Sequence, residues 1–385
     1  MPADAAVRAR QATVAQRDGA GPVVLYVSSV AELKGGAETV LLEMLRNPGV
    51  RPALAAPGPG TLEEFARRRG IPVHRLELGA VGSIRRPVRP GDLRRAGRDA
   101  LRLASQIAAI AQATDAALVH ANGLKVHVTG CLARLLHGTP TIVHMHDVPY
   151  SRAERLIWSA LSRAARHTIA ASDICFPTGT RRVSVVMQGV DSPPAPVPRT
   201  LGARPVLGFV GRFHPFKGVH LLLDWFESVT AEFQDLTLLL RGRADAEGAR
   251  YWSDLQPRAQ RLVAAGCCRI EGWRPAAEDP LTDIDVLIAP SATPEVGPRI
   301  IMEAMLRGIP AIGYPTGGAL RMIPRPEVGA LAANADQLRT ALRRLLDPAC
   351  YAQVSAAALA HAAAEFGIGR FWQSLSDVYQ SVLDK

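Results

Sequence analysis

The densest chemistry lies in Ala289-Pro290-Ser291-Ala292-Thr293-Pro294-Glu295-Val296-Gly297-Pro298-Arg299-Ile300-Ile301-Met302-Glu303-Ala304-Met305, closed by Gly308 and Pro310. The order reads strand, loop, helix, strand. Pro298 suits a first helical turn and Gly308 a C′ position, with good helix formers between them. Glu295 then precedes the helix and Glu303 lies inside it. Helix N–H groups and the helix dipole favour an anion near Glu295, while both carboxylates accept hydrogen bonds from hydroxyls. A phosphate flanked by sugar hydroxyls would satisfy both demands. In isolation the two glutamates read equally as an ordinary loop acid and a solvated helix residue.

A second segment, Val206-Leu207-Gly208-Phe209-Val210-Gly211-Arg212-Phe213-His214-Pro215-Phe216-Lys217-Gly218, delivers two cations just past a buried strand. An Arg fork with a point-charge Lys can hold a diphosphate and offset the charge that grows on it as it leaves. A basic surface turn is the plainer alternative. Third, Gly35-Gly36 follows the first apolar run and opens a helix, so the backbone there can approach a ligand closely. It is neither G-x-G-x-x-G nor a Walker loop, which counts against dehydrogenase and P-loop readings.

These groups need elements to position them. Short apolar runs at 23–27, 53–56, 73–76, 116–120 and 141–146 alternate with helical stretches, which implies a parallel sheet covered on both faces. Four prolines in Asp191-Ser192-Pro193-Pro194-Ala195-Pro196-Val197-Pro198 interrupt the pattern. A second series follows at 206–210, 236–240, 269–271, 286–289 and 310–314. The reading is α/β, with a tail at 1–20, an N-terminal Rossmann-like domain at 21–198, a C-terminal one at 199–365 and a last helix at 366–385. Parallel sheets bind ligands beyond the carboxyl ends of their strands, so two facing sheets would make an interdomain cleft.

The 385 residues carry 48% apolar and 21% charged side chains, too apolar for a disordered polyelectrolyte and long enough for about two domains. No run of about 18 apolar residues and no apolar leader is found, and five cysteines lack C-x-x-C spacing, so a cytoplasmic protein is expected. The net charge of +10 comes almost wholly from arginine. Arg85, Arg86, Arg89, Arg94, Arg95, Arg98 and Arg102 form a run that reads first as a solvated helix. It leaves open an anionic acceptor, peripheral contact with an acidic membrane, or nucleic acid. With only 5% aromatic residues and no stacking motif, nucleic acid is not expected as a partner.

The Gly-Gly loop, Gly211-Arg212 followed by Lys217-Gly218, and Pro290-Ser291 followed by Glu295 and Glu303-Ala304-Met305 with Gly308-x-Pro310, in that order, resemble a family 4 glycosyltransferase. The likeness runs from about Val23 to the C-terminus. It implies the GT-B fold and a retaining enzyme, of a bacterial type, that needs no metal or other cofactor and moves a sugar from a nucleoside-diphosphate-sugar to an acceptor hydroxyl. The acceptor could be a polysaccharide, a lipid carrier or a natural product. By the same resemblance Arg212 and Lys217 bind the diphosphate, Glu295 touches donor-sugar hydroxyls and Glu303 binds the ribose. Arg299 and Ile300 would offer backbone amides to the phosphates, and Gly35-Gly36 would approach the donor. His146 would lie near the transferred sugar, Gly272 and Trp273 near the base, and the last helix would return to the N-terminal domain. A non-catalytic nucleotide-sugar binder is the alternative within the same site.

Two departures stand out: Gly297-Pro298-Arg299 places a residue without an N–H beside the expected phosphate contact, and Arg241-Gly242-Arg243 replaces the usual Gly-x-Gly. Asp283-Ile284-Asp285 formally matches a metal-binding D-x-D but reads as a strand-entry turn. His144 and His146, on one strand face, read as one structural histidine and one polar donor, with no further metal ligand evident.

Overall fold

Runs of Val, Leu, Ile and Ala too short for helices form two sheets in which every strand pair is parallel. They are seen in a computed structural model that describes residues 21–33, 35–84, 90–149, 151–175, 182–274 and 278–384, without the side chains of 90–95. The first sheet holds β1 (Val23–Ser28), β2 (Arg51–Ala56), β3 (Val73–Arg75), β4 (Leu118–Asn122), β5 (Thr141–Met145), β6 (His167–Ala170) and β7 (Val183–Val185). Its order is β3-β2-β1-β4-β5-β6-β7. The second holds β8 (Val206–Arg212), β9 (Thr237–Arg243), β10 (Cys268–Glu271), β11 (Val286–Ala289), β12 (Ala311–Gly313) and β13 (Ala330–Leu331), ordered β10-β9-β8-β11-β12-β13. In each sheet the order reverses beside the first strand, between β1 and β4 and between β8 and β11, the switch point where such sheets take ligands.

Helices supply the crossovers that parallel pairing requires. In the first sheet they are α1 (Gly36–Leu45), α2 (Thr61–Arg67), α3 (Ala80–Ser83), α4 (Pro90–Ala113), α5 (Leu124–His137) and α6 (Arg152–Ala164). In the second they are α7 (Val219–Val229), α8 (Ala249–Ala264), α9 (Arg299–Met305), α10 (Gly318–Met322), α11 (Ala335–Leu345) and α12 (Pro348–Phe366); α13 (Ile368–Leu383) closes the chain. Strand interiors such as Val24, Leu25, Leu118, Leu207 and Leu287 are fully buried, as sheets covered on both faces demand. β6, β7 and β13 were not expected from the sequence; with two to four residues each and His, Thr or Ser among them, they carry little periodic signal.

Val190–Ile368 forms one compact unit and the rest of the chain the other. This division falls before the proline-rich segment, where the sequence suggested 198. Val190 bonds through its backbone to Phe366 and Ile368, and the Arg199 N–H donates to Ser355 Oγ at 2.7 Å, so the segment is stitched to the second unit. From Gly369 on, the last helix, α13, belongs to the first unit: Trp372 Nε1 donates to the Glu43 carbonyl at 2.7 Å, and Tyr379 is buried beside Tyr26.

Candidate active site

In the second unit a tight turn after β8 places the lysine. Pro215–Lys217 forms one 3₁₀ turn that ends at Gly218 with φ +72°, and a Cβ there would stand 2.1 Å from the Pro290 carbonyl oxygen. Only glycine permits that approach. It presses the turn against the exit of β11, and Lys217 Nζ bonds Glu295 Oε2 at 2.5 Å. The Glu295 loop is held from its other side by a glycine pair the sequence reading passed over. The Gly318 N–H donates to the Glu295 carbonyl at 2.7 Å, and a Cβ on Gly317 (φ +57°) would lie 2.4 Å from that same oxygen. Glu295 Oε1 is buried and has no hydrogen-bond partner among the described residues.

Arg212 ends β8, and its guanidinium donates to Asp245 Oδ2 at 3.0 Å. The Gly248 N–H, then Arg212, hold the Asp245 carboxyl below its usual range. Arg212 and Lys217 each lie 5.2 Å from the Phe216 ring centroid, so one aromatic ring gathers both cations. Glu303 and Arg299 form a further pair on α9, Oε1 to Nε at 3.5 Å. Pro298, expected in the first helical turn, instead occupies the cap position with ψ 90°, so its missing N–H costs α9 no internal bond; the Ile301 N–H turns back to its carbonyl. Arg241 proves structural. It is 1% exposed, bonds Glu271 Oε2 through Nε and Nη2 at 3.0 and 2.8 Å, and caps the carbonyls of Pro280 and Thr282. Glu271 also accepts from Arg274, which anchors the loop through Gly272 to Trp273, whose side chain is half exposed.

In the first unit the corresponding edge centres on glycines, an amide and imidazoles, with Asp147 exposed beyond them. Gly35 caps α1 and Gly36 begins it, with no atom within 4 Å of a Cβ built on Gly36. His146 follows β5, and its Nε2 lies 2.6 Å from Asn122 Oδ1; Asn122 Nδ2 donates to the Ala37 carbonyl at 3.2 Å. His144 and His146 share a strand face as alternation requires, with ring centroids 4.0 Å apart. His144 is fully buried and bonds His120 at 3.1 Å, His120 bonds Tyr379 at 2.8 Å, and Tyr379 bonds Tyr26 at 3.3 Å. Burial, followed by neighbouring imidazoles, pushes His120 and His146 down to about 3 and His144 well below its ordinary value, although His146 as a residue is only partly buried. This cluster is uncharged at neutral pH.

The decoys resolve locally. Asp285 Oδ2 accepts the Val206 N–H at 2.8 Å and Asp283 adopts φ +62°, a turn leading into β11. Of the arginine run, Arg85, Arg86 and Arg89 lie outside the described residues, as do the side chains of Arg94 and Arg95. Arg98 and Arg102 are exposed on α4, Arg102 3.6 Å from Asp99. No described helix is long and apolar enough to cross a membrane.

Known structures share this architecture. The Anabaena protein Alr3699/HepE, in complex with UDP, aligns with a TM-score of 0.75 at 21% identity over 94% of this chain and 100% of its own. A glycosyltransferase from Rickettsia africae ESF-5 aligns at 0.77 with 16% identity, over 95% and 100%. The fold is thus the GT-B glycosyltransferase architecture of two parallel-sheet α/β domains. Residues 34–175 match Glycosyltransferase Family 4 and residues 204–348 match Glycosyl transferases group 1. A D-inositol 3-phosphate glycosyltransferase from Corynebacterium urealyticum is 28% identical over 137 residues, covering 34% of this chain; the match spans 32% of that curated relative's length. The chain belongs to the family 4 glycosyltransferases.

Proposed function

We propose that the protein transfers a sugar from a nucleoside-diphosphate-sugar to an acceptor hydroxyl, with retention at the anomeric carbon and without a metal ion. The observation that carries this reading is Glu295: Oε2 is tied to Lys217, while Oε1 is a buried acceptor without a partner among the described residues. Leaving such an acceptor unmet costs about 1–3 kcal/mol, which a sugar hydroxyl would relieve. Beside it, Arg212 and Lys217 supply the positive charge that a departing diphosphate needs more as its bond to the sugar breaks. The Anabaena protein has also been crystallised with UDP-glucose, which supports a donor of this class.

Breaking the anomeric bond is the hard step, and no enzyme nucleophile is assigned. A carboxylate committed to a lysine is a poor nucleophile, so Glu295 orients the sugar. In this reading the acceptor attacks from the leaving-group face and a phosphate oxygen helps to take its proton. Glu303 holds the ribose, and the first amides of α9, at Arg299 and Ile300, face the phosphates. The acceptor is a polysaccharide, lipid-carrier or natural-product hydroxyl, met on the cytoplasmic side. A thermal-shift panel of nucleoside diphosphates and their sugars tests the core claim, because a ligand at a hundred times its Kd stabilises the fold by about 2.7 kcal/mol. At least one donor should raise the Tm and be consumed when acceptor is added. A shift without consumption would mark a non-catalytic binder, and no shift with any nucleotide would remove the reading.

A further inference from the structure

Asn122, the last residue of β4, is 4% exposed and bonds both His146 and Ala37, the residue after Gly35-Gly36. Its carboxamide has one possible orientation. The Ala37 carbonyl can only accept, so Nδ2 faces it at 3.2 Å, and Oδ1 therefore faces His146 at 2.6 Å. An amide oxygen also only accepts, so His146 must carry its proton on Nε2. In the neutral ring Nδ1 is then the bare, accepting nitrogen. Ala37 directly follows Gly35-Gly36 in the first turn of α1, so the same side chain fixes the glycine loop to the imidazole. The ring face is set independently, by His144 packed on it at 4.0 Å with a 30° tilt and itself bonded to His120.

We propose that Asn122 is a positioning residue. It ties the Gly35-Gly36 turn to His146 and holds that imidazole as the Nε2–H tautomer, whose Nδ1 accepts a hydrogen bond from a hydroxyl of the bound sugar. The ligand half of this statement rests on the proposed transferase function; the tautomer half does not. His146 accordingly serves as a neutral acceptor and not as a proton donor to the leaving group. The carboxamide is better suited than a carboxylate, which could not donate to Ala37 and would draw a second proton onto the ring.

The test is a long-range proton–nitrogen correlation spectrum of the full chain labelled with 15N-histidine, at neutral pH, with the His146 signals identified by their loss in His146→Gln. The wild-type protein should show His146 as a single Nε2–H tautomer. Asn122→Ala should give averaged tautomers, and Asn122→Asp should shift the ring toward the doubly protonated imidazolium pattern. A wild-type Nδ1–H pattern, or one unchanged in Asn122→Ala, overturns the proposal, and the wild-type spectrum decides even if the variants misfold. Calorimetry then separates the ligand half. A sugar nucleotide found in the thermal panel should bind Asn122→Ala about fivefold more weakly, the worth of one hydrogen bond, while the matching nucleoside diphosphate binds unchanged. Equal sugar-nucleotide affinity in both proteins would refute the link to the sugar. Failure of the wild type to bind any nucleotide would instead sink the transferase reading and leave the tautomer result standing.

Discussion

The two sheets share topology and use their carboxyl edges differently. Beyond β8, β9 and β11 the described side chains pair as ions: Arg212 with Asp245 and Lys217 with Glu295. Beyond β4 and β5 the groups are Asn122, His144 and His146, and behind them a chain through His120 to two buried tyrosines. One edge presents ion pairs, and the other presents an amide and imidazoles with the exposed Asp147 beside them.

The sharpest way to break this contrast is to remove a cation from the ionic edge. Arg212→Ala should lower kcat/KM by a factor corresponding to about 3 kcal/mol, as for loss of one preorganised electrostatic donor. Arg212 is the better choice because deleting Lys217 would also strand the Glu295 carboxylate. Steady-state rates with a donor found by the thermal panel check it. Wild-type turnover in Arg212→Ala would show that the arginine serves only Asp245.

The imidazole edge makes a different prediction, about stability and pH. His120 and His146 titrate near 3 in the fold and His144 is likewise lowered, whereas an unfolded histidine titrates near 6.5. Between those values the unfolded chain binds more protons, so unfolding free energy should fall as the pH drops below about 6.5, by about 1.4 kcal/mol per pH unit for each histidine kept neutral. The groups facing one another here are His120, His127, His144, His146, Tyr26 and Tyr379. None of these is anionic at these pH values, and the carboxylate next to them in the chain, Asp147, is exposed. Urea titrations at pH 7 and pH 5 would measure it, and His120→Gln should make the slope shallower. An unchanged slope would mean that this histidine is protonated in the fold.

What was legible in the sequence follows the range of its signals. The placement of Lys217 in a turn after β8, Glu295 before α9 and Glu303 within it could be read because strand, turn and helix grammar is local, marked by Gly218, Pro298 and Gly308. Their partners were less visible. Asp245 lies 33 residues from Arg212, Asn122 lies 24 from His146, and Tyr379 lies 259 from His120. Such pairs exist only once parallel strands are in register: Asn122 pairs with His144 across β4 and β5, and Arg212 with Arg243 across β8 and β9. Gly317-Gly318 could have been found, since it follows a strand and opens a helix just as Gly35-Gly36 does.

The finest test compares the two glutamates within the ionic edge. Glu295 binds Lys217 and keeps one buried oxygen unmet, so its loss should blur discrimination among sugars and change nucleoside-diphosphate affinity little. Glu303 is held by Arg299 on α9 and, as a ribose acceptor, should act on the nucleotide whatever sugar it carries. Each lost hydrogen bond to a ligand is worth about 1 kcal/mol, roughly a fivefold change in affinity. Calorimetry on Glu295→Ala and Glu303→Ala, with free nucleotide and with the full donor, should therefore give crossed results. Glu303→Ala should lose affinity for both ligands by similar factors, and Glu295→Ala for the full donor alone. Parallel losses in the two variants would mean that both carboxylates act only through the cations beside them.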